Sequence, residues 1–117
     1  MPREFSRTER VAYQIQRELA ALLVREVSDP RLRDLTISEV RIGRDLSQAT
    51  VYFTVEDPAK AQETLAALRR ASGFLRKCLA NRVRTKSVPK LQFVFDRSFD
   101  QATHLLALIE KAVANDA

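Results

Sequence analysis

The chain has 117 residues, 45% of them hydrophobic and 30% charged, with two glycines and a formal net charge of +5. That suffices for a single domain with one hydrophobic core and has the composition of a soluble globular protein. No apolar run approaches the roughly 20 residues that span a bilayer. The segment Met1–Arg7 lacks the apolar core of a signal peptide, and the lone Cys78 cannot close an internal disulfide, so a cytoplasmic location is expected.

Ser6 followed by Glu9 has capping-box spacing. Val11, Ile15, Leu19, Leu22, Leu23 and Val27 then recur at helical spacing, which predicts a helix over about Arg7–Val27 with an outer face of alternating charge. Ser28-Asp29-Pro30 ends it, because proline lacks the N–H that a helix interior needs. Leu35 to Arg44 reads as a strand whose alternation changes phase. Leu35 and Ile37 share one parity, and Val40 and Ile42 the other, so a bulge is expected near Ser38-Glu39. After a turn over Gly43–Ser47, Ala49, Val51, Phe53 and Val55 alternate with Thr50, Tyr52 and Thr54. The second strand therefore closes an antiparallel hairpin with the first.

Asp57-Pro58 opens the next helix as N-cap and first-turn proline. Ala61, Leu65 and Leu68 point to its core, and Phe74, Leu75, Cys78 and Leu79 continue the apolar pattern beyond Gly73. Counting all four, the apolar stripe rotates by roughly 80° across Ser72-Gly73. Two helices are expected, about Lys60–Ser72 and Phe74–Arg84, joined by a kink at Ala71-Ser72-Gly73. Ser87-Val88-Pro89 breaks the pattern. Leu91, Phe93 and Phe95 form a third strand that the helical crossover brings back to the sheet. Ser98 and Gln101 cap a last helix expected to bury Phe99, Ala102, Leu105, Leu106, Ile109 and Val113. Residues of about 113–117 are left open as a disordered tail. The reading is one α+β domain over 1–117, in the order α-β-β-α-kink-α-β with a C-terminal helix, its three-stranded sheet packed on the helices.

The charge is uneven. Thr64 to Phe95 holds eight of the 20 basic residues and none of the 15 acidic ones. The rest of the chain has 12 cations against 15 anions, so this one region supplies the positive sign. Such an excess marks a polyanion-binding face. Arg70, Lys77 and Arg84 fall at seven-residue intervals opposite the core, with Arg69 and Arg76 beside the apolar stripe, and cations so placed track phosphates. At the kink, Ser72 and Gly73 are small enough for a sugar-phosphate backbone to approach, and a second helix starting there would offer free N–H groups to an anion. The candidate RNA-binding residues are Arg69, Arg70, Ser72, Gly73, Arg76, Lys77, Arg84 and Lys86. Whether Arg31, Arg33, Arg41 and Arg44 share that surface is left open.

Catalytic chemistry finds no footing. His104 is the only histidine, and Cys78 sits at a core-facing helical position, so neither a zinc site nor a Cys–His pair is expected. There is no glycine-rich nucleotide cradle. The aspartates at turns and helix starts are explained by capping. A non-enzymatic chain without metal or cofactor is the expectation. Alternatives of another class are a helix-turn-helix DNA-binding module and a basic protein–protein adaptor.

The order α-β-β-α-α-β with a small-residue break between basic helices resembles the type II KH arrangement, whose break carries a GxxG loop that clamps nucleotides. Here the first glycine is missing. With Ala71-Ser72-Gly73-Phe74-Leu75-Arg76-Lys77, Asp29-Pro30-Arg31-Leu32, Asp45-Leu46-Ser47, and Pro89, Leu91, Phe93, Asp96 and Ser98 in register, the chain resembles the bacterial ribosome-binding factor A family, in which an Ala-x-Gly kink replaces GxxG. That resemblance implies a non-catalytic assembly factor, monomeric off the ribosome, that binds 16S rRNA within the immature 30S subunit. It also implies help with maturation of the rRNA ends, a role in cold adaptation, and displacement aided by a ribosome-associated GTPase.

Overall fold

A computed structural model describes residues 6–83 and 88–116, the side chains of 99–104 and 115–116 excepted. The first helix, α1 (Arg7–Arg25), starts where the Ser6 hydroxyl accepts from the Glu9 N–H at 3.2 Å. It buries Val11, Ala12, Ile15, Leu19, Leu22 and Leu23 along one stripe. Asp29 accepts from the Arg31 N–H and caps a short 3₁₀ turn over Pro30–Leu32.

Strand β1 (Leu35–Ile42) pairs antiparallel with β2 (Gln48–Val55), and the register slips between Ile37 and Glu39. Ser38 is the extra residue, as the change of parity predicts. The bulge lets Ile37 and Val40 both reach the core although three positions separate them. Its irregular carbonyls are not left bare: the Gln16 side chain of α1 donates to the Ile37 carbonyl at 3.4 Å.

Asp57 caps a 3₁₀ turn over Pro58–Lys60, which feeds α2 (Ala61–Ala80). Strand β3 (Lys90–Phe95) then pairs parallel with β2, giving the order β1-β2-β3. Both α1 and α2 pack on one face of this sheet and against each other. Phe53, Val51 and Ala49 of β2 lie fully buried between the layers. A last helix, α3 (Ser98–Asp116), follows.

Two expectations are corrected. The two helices expected at Lys60–Ser72 and Phe74–Arg84 are one hydrogen-bonded helix that runs through Ala71-Ser72-Gly73 without a break. The expectation counted Phe74, which is 48% exposed, and Cys78, which is only half-buried, as core residues. Without those two, Thr64, Leu68, Ala71, Leu75 and Leu79 fall at steps of four, three, four and four, a single stripe that one helix buries against the sheet and α1. A helix-turn-helix needs a turn between its helices, and none is present here. The second correction concerns α3. Leu105, Leu106, Ile109 and Val113, expected in the core, are all exposed, because α1 and α2 already cover the apolar face of the sheet. Phe99 and Ala102 lie outside the described side chains.

Candidate nucleic-acid interface

The helix α2 has three working faces. Its core face holds Leu68, Leu75 and Leu79, each without solvent exposure. Opposite lie Arg70, Gly73 and Lys77, which adjoin one another at i+3 and i+4 spacing. Neither cation forms an ion pair among the described residues. The one carboxylate of the helix, Glu63, lies in the first turn and meets Arg31 at 3.5 Å. Beyond that turn, the charged residues of α2 are all cationic.

The third face looks toward β3. Arg69 and Ser72 line a cleft of about 290 Å³ together with Gln48, Lys90, Leu91, Gln92 and Phe93. The parallel pairing of β3 on β2 builds it, since Gln48 stands opposite Lys90 at the start of the ladder. The Gln48 side-chain amide donates to the Gln92 side-chain carbonyl, which holds both amides at the cleft. The Ser72 hydroxyl donates to the Arg69 carbonyl at 2.9 Å and keeps its lone pairs for an external donor. Two cations, two amides and a hydroxyl around one cleft suit an anionic ligand rich in hydroxyls, such as a sugar-phosphate backbone.

Of the residues singled out from the sequence, the structure brings Arg69 and Ser72 into this cleft and sets Arg70, Gly73 and Lys77 on the adjoining outward stripe. Arg84 and Lys86 lie outside the described residues. Gln48, Lys90 and Gln92 line the cleft without being among those residues. They are neutral or isolated in sequence, and their one legible signal is the polar parity at the starts of two strands.

Arg76 has a structural role as well. Its Nε and Nη2 both donate to the Val88 carbonyl, at 3.1 and 2.8 Å. Two of its five N–H groups are used on the backbone that leads into β3, so Arg76, itself exposed, braces the cleft and keeps its other N–H groups on the outside. Gly73 is also recast. Because the helix is continuous, no set of open N–H groups forms there, and beyond its own helix backbone an added Cβ would meet no neighbour within 4 Å. The glycine fills no packing requirement of the fold.

The remaining arginines divide by partner. Arg82 reaches Glu18 at 3.6 Å and Glu26 at 3.8 Å, tying the end of α2 to α1. Arg41 pairs with Glu39 at 3.0 Å and lies over the Tyr52 ring, on the sheet face away from the helices. Its pKa is raised, first by the hydrogen bond to Glu39 and then by that carboxylate's charge. Arg31 is held near the start of α2, while Arg33 and Arg44 are exposed. None of the four lines the cleft at Ser72. Asp96 is held below the usual carboxylate range, mainly by the Ser98 N–H and hydroxyl and then by the Ser38 hydroxyl at 2.7 Å. It ties the end of β3 to the bulge of β1.

Cys78 is half-buried against the core. No group of three or more His, Cys, Asp or Glu side chains that could hold a metal ion occurs among the described residues. Among them, too, no helix is long and apolar enough to cross a membrane.

Comparison with known proteins agrees on one family. Residues 7–109 match the family model for ribosome-binding factor A. The ribosome-binding factor A of Thiobacillus denitrificans is 52% identical over 118 residues, covering 100% of this chain and 95% of that one. The crystal structure of ribosome-binding factor A from Thermus thermophilus superimposes with a TM-score of 0.69 at 34% identity, covering 78% of this chain and 97% of that one. A Thermus thermophilus ribosome binding factor A homology model, fitted into a cryo-electron microscopy map of its complex with the 30S subunit, matches with a TM-score of 0.59 at 36% identity, covering 74% of this chain and 91% of that one.

Proposed function

We infer function from one premise: this chain belongs to the ribosome-binding factor A family. It is a small-subunit assembly factor that binds the immature 30S particle, holds 16S rRNA and assists maturation of that RNA without catalysing a reaction itself. The α-β-β-α-β core acts as a KH-like module, working in the cytoplasm and released with the indirect help of a ribosome-associated GTPase.

The observation that carries the RNA reading is the surface of α2 beyond its first turn, which has no acidic residue and where Arg70 and Lys77 face outward beside the Arg69–Ser72–Lys90 cleft. A relative fitted into a 30S map supports the choice of polyanion. Arg69 and Lys90 hold phosphates at the cleft, and Arg70 and Lys77 extend the track. Ser72 and the two glutamines meet ribose hydroxyls, and Gly73 leaves room for the backbone to come close. Arg84 and Lys86 continue the cationic run in sequence. Arg76 serves by fixing Val88 beside the strand that carries Lys90.

The test is binding of the chain to purified immature 30S particles as salt is raised. Arg70→Ala with Lys77→Ala should weaken binding and reduce the slope of log K against log salt by about 0.7 to 0.9 for each lost phosphate contact. An unchanged slope removes both residues from the interface. Sedimentation of the wild-type chain away from free small subunits at low salt would overturn the assembly reading altogether.

A further inference from the structure

The same arrangement occurs twice on the outside of the helix layer. On α1, Arg10, Tyr13 and Arg17 stand at i, i+3 and i+7; on α2, Arg70, Phe74 and Lys77 stand at i, i+4 and i+7. All six are exposed, Tyr13 at 62% and Phe74 at 48%. Each stripe faces away from its own helix's core residues, Ile15, Leu19 and Leu22 on α1 and Leu68, Leu75 and Leu79 on α2. Scattered exposed apolar residues are ordinary. A large aromatic bracketed by two cations on the outer faces of two neighbouring helices is a repeated chemical pattern.

We propose that these two stripes are base-stacking platforms, each taking an unpaired nucleotide of an RNA strand whose flanking phosphates meet the bracketing cations. The proposal rests on the RNA reading above and adds to it a contact with bases. Cations seven residues apart on a helix lie about 10.5 Å apart along its axis. That leaves a nucleotide between them over the aromatic ring. On α1 the Arg17 guanidinium lies over the Tyr13 ring, 5.8 Å from its centre, so a base stacks on the ring face that the guanidinium leaves open. A base stacking there gains from both the ring and the cation.

Charge favours RNA over a protein partner. The sequence pattern makes the outer face of α1 look balanced, with Glu18 and Glu26 among its arginines. In the structure both carboxylates point to Arg82. Arg7, Arg10, Arg17 and Arg25 are left without an ion pair among the described residues. Glu9, one turn before Tyr13, is the exception, and it lies in the first turn, where the helix dipole favours an acid. Duplex RNA keeps its base faces in the stack, so these rings select unpaired nucleotides.

The test uses Tyr13→Leu, Phe74→Leu and the double variant of the full chain, with fluorescence anisotropy on a 12-nucleotide single strand, the same strand lacking its bases, and the matching duplex. Leucine keeps apolar bulk and helix propensity, and far-UV circular dichroism with a thermal melt verifies the fold. Each single variant should bind the intact single strand about fivefold or more weakly. The salt slope and duplex binding should not move, and the base-free strand should bind wild type and double variant alike. Unchanged single-strand affinity in the variants, with the wild-type salt slope intact, overturns the platforms and leaves a phosphate-only RNA surface standing. Normal RNA binding combined with lost binding to RNA-free small-subunit proteins also overturns them, in favour of protein docking. Failure of the wild type to bind any of the three RNAs defeats the RNA reading itself and the platforms with it.

Discussion

Replacing Gly73 with alanine separates what the fold needs at this position from what a ligand needs. Gly73 lies inside a continuous 20-residue helix, has no left-handed φ, and has open space where a Cβ would stand. Glycine in a helix interior is less favourable than alanine by about 0.8 to 1.0 kcal/mol, chiefly because the unfolded chain is freer at that residue. Nothing in the folded state offsets this gain, so Gly73→Ala should stabilise the protein by about 1 kcal/mol. An unfolding entropy near 2.1 cal/mol/K per residue over 117 residues amounts to about 250 cal/mol/K, so Tm should rise by about 4 °C. Thermal and urea melts followed by circular dichroism measure this. The same variant should bind 30S particles more weakly, because its methyl group stands between Arg70 and Lys77 where the RNA backbone is proposed to approach. Stability and affinity then change in opposite directions. A lower Tm would refute the reasoning, since it would mean that the backbone at Gly73 is not an ordinary helical one with free space around it. A higher Tm with unchanged affinity would leave the helix assignment intact and remove Gly73 from the interface.

Arg76→Ala should destabilise the fold by about 1 to 3 kcal/mol in urea melts, because it strips two donors from a carbonyl of the buried residue Val88. Arg76→Lys should recover only part of the loss, since an ammonium cannot reproduce the fork. A melt unchanged by either substitution would return Arg76 to the pool of free cations. Asp96 has its folded pKa lowered by Ser98 and Ser38, so its contribution to stability is present above the unfolded carboxylate value and is lost as pH falls through the lower folded value. The stability gap between wild type and Asp96→Asn should therefore be steady at neutral pH and narrow below about pH 4. A gap that widened on acidification would contradict this sign.

Much of the architecture is legible in the sequence. Alternation in Ala49, Val51 and Phe53 is a property of neighbouring residues, and so is the change of parity between Ile37 and Val40 that locates the bulge at Ser38. The caps at Ser6, Asp29 and Asp57 were equally local. Phe74 misled because hydropathy marks a phenylalanine as core wherever it falls. Counted inside with Cys78, it rotates the stripe and breaks the helix; with Phe74 outside and Cys78 at the margin, one straight stripe is left and Phe74 becomes a surface aromatic. The leucines of α3 misled in the same way. For the candidate site, the charge run points to Arg69, Arg70, Arg76 and Lys77 alike and does not show that Arg76 has a backbone partner twelve positions away on the approach to β3.

By itself, the sequence determined the periodic elements, the hairpin and its bulge, and the sign and location of the excess charge. Each depends on residues within a few positions of one another or on simple totals. Only the tertiary structure decided which carboxylates cancel which arginines, as Glu18 and Glu26 do with Arg82, 64 and 56 positions further along the chain. It alone brought Gln48 and Gln92 to Ser72, through the parallel pairing of β3 on β2. The physical reason is that hydropathy and charge are carried by single residues, whereas exposure and electrostatic neutralisation belong to pairs that packing brings together.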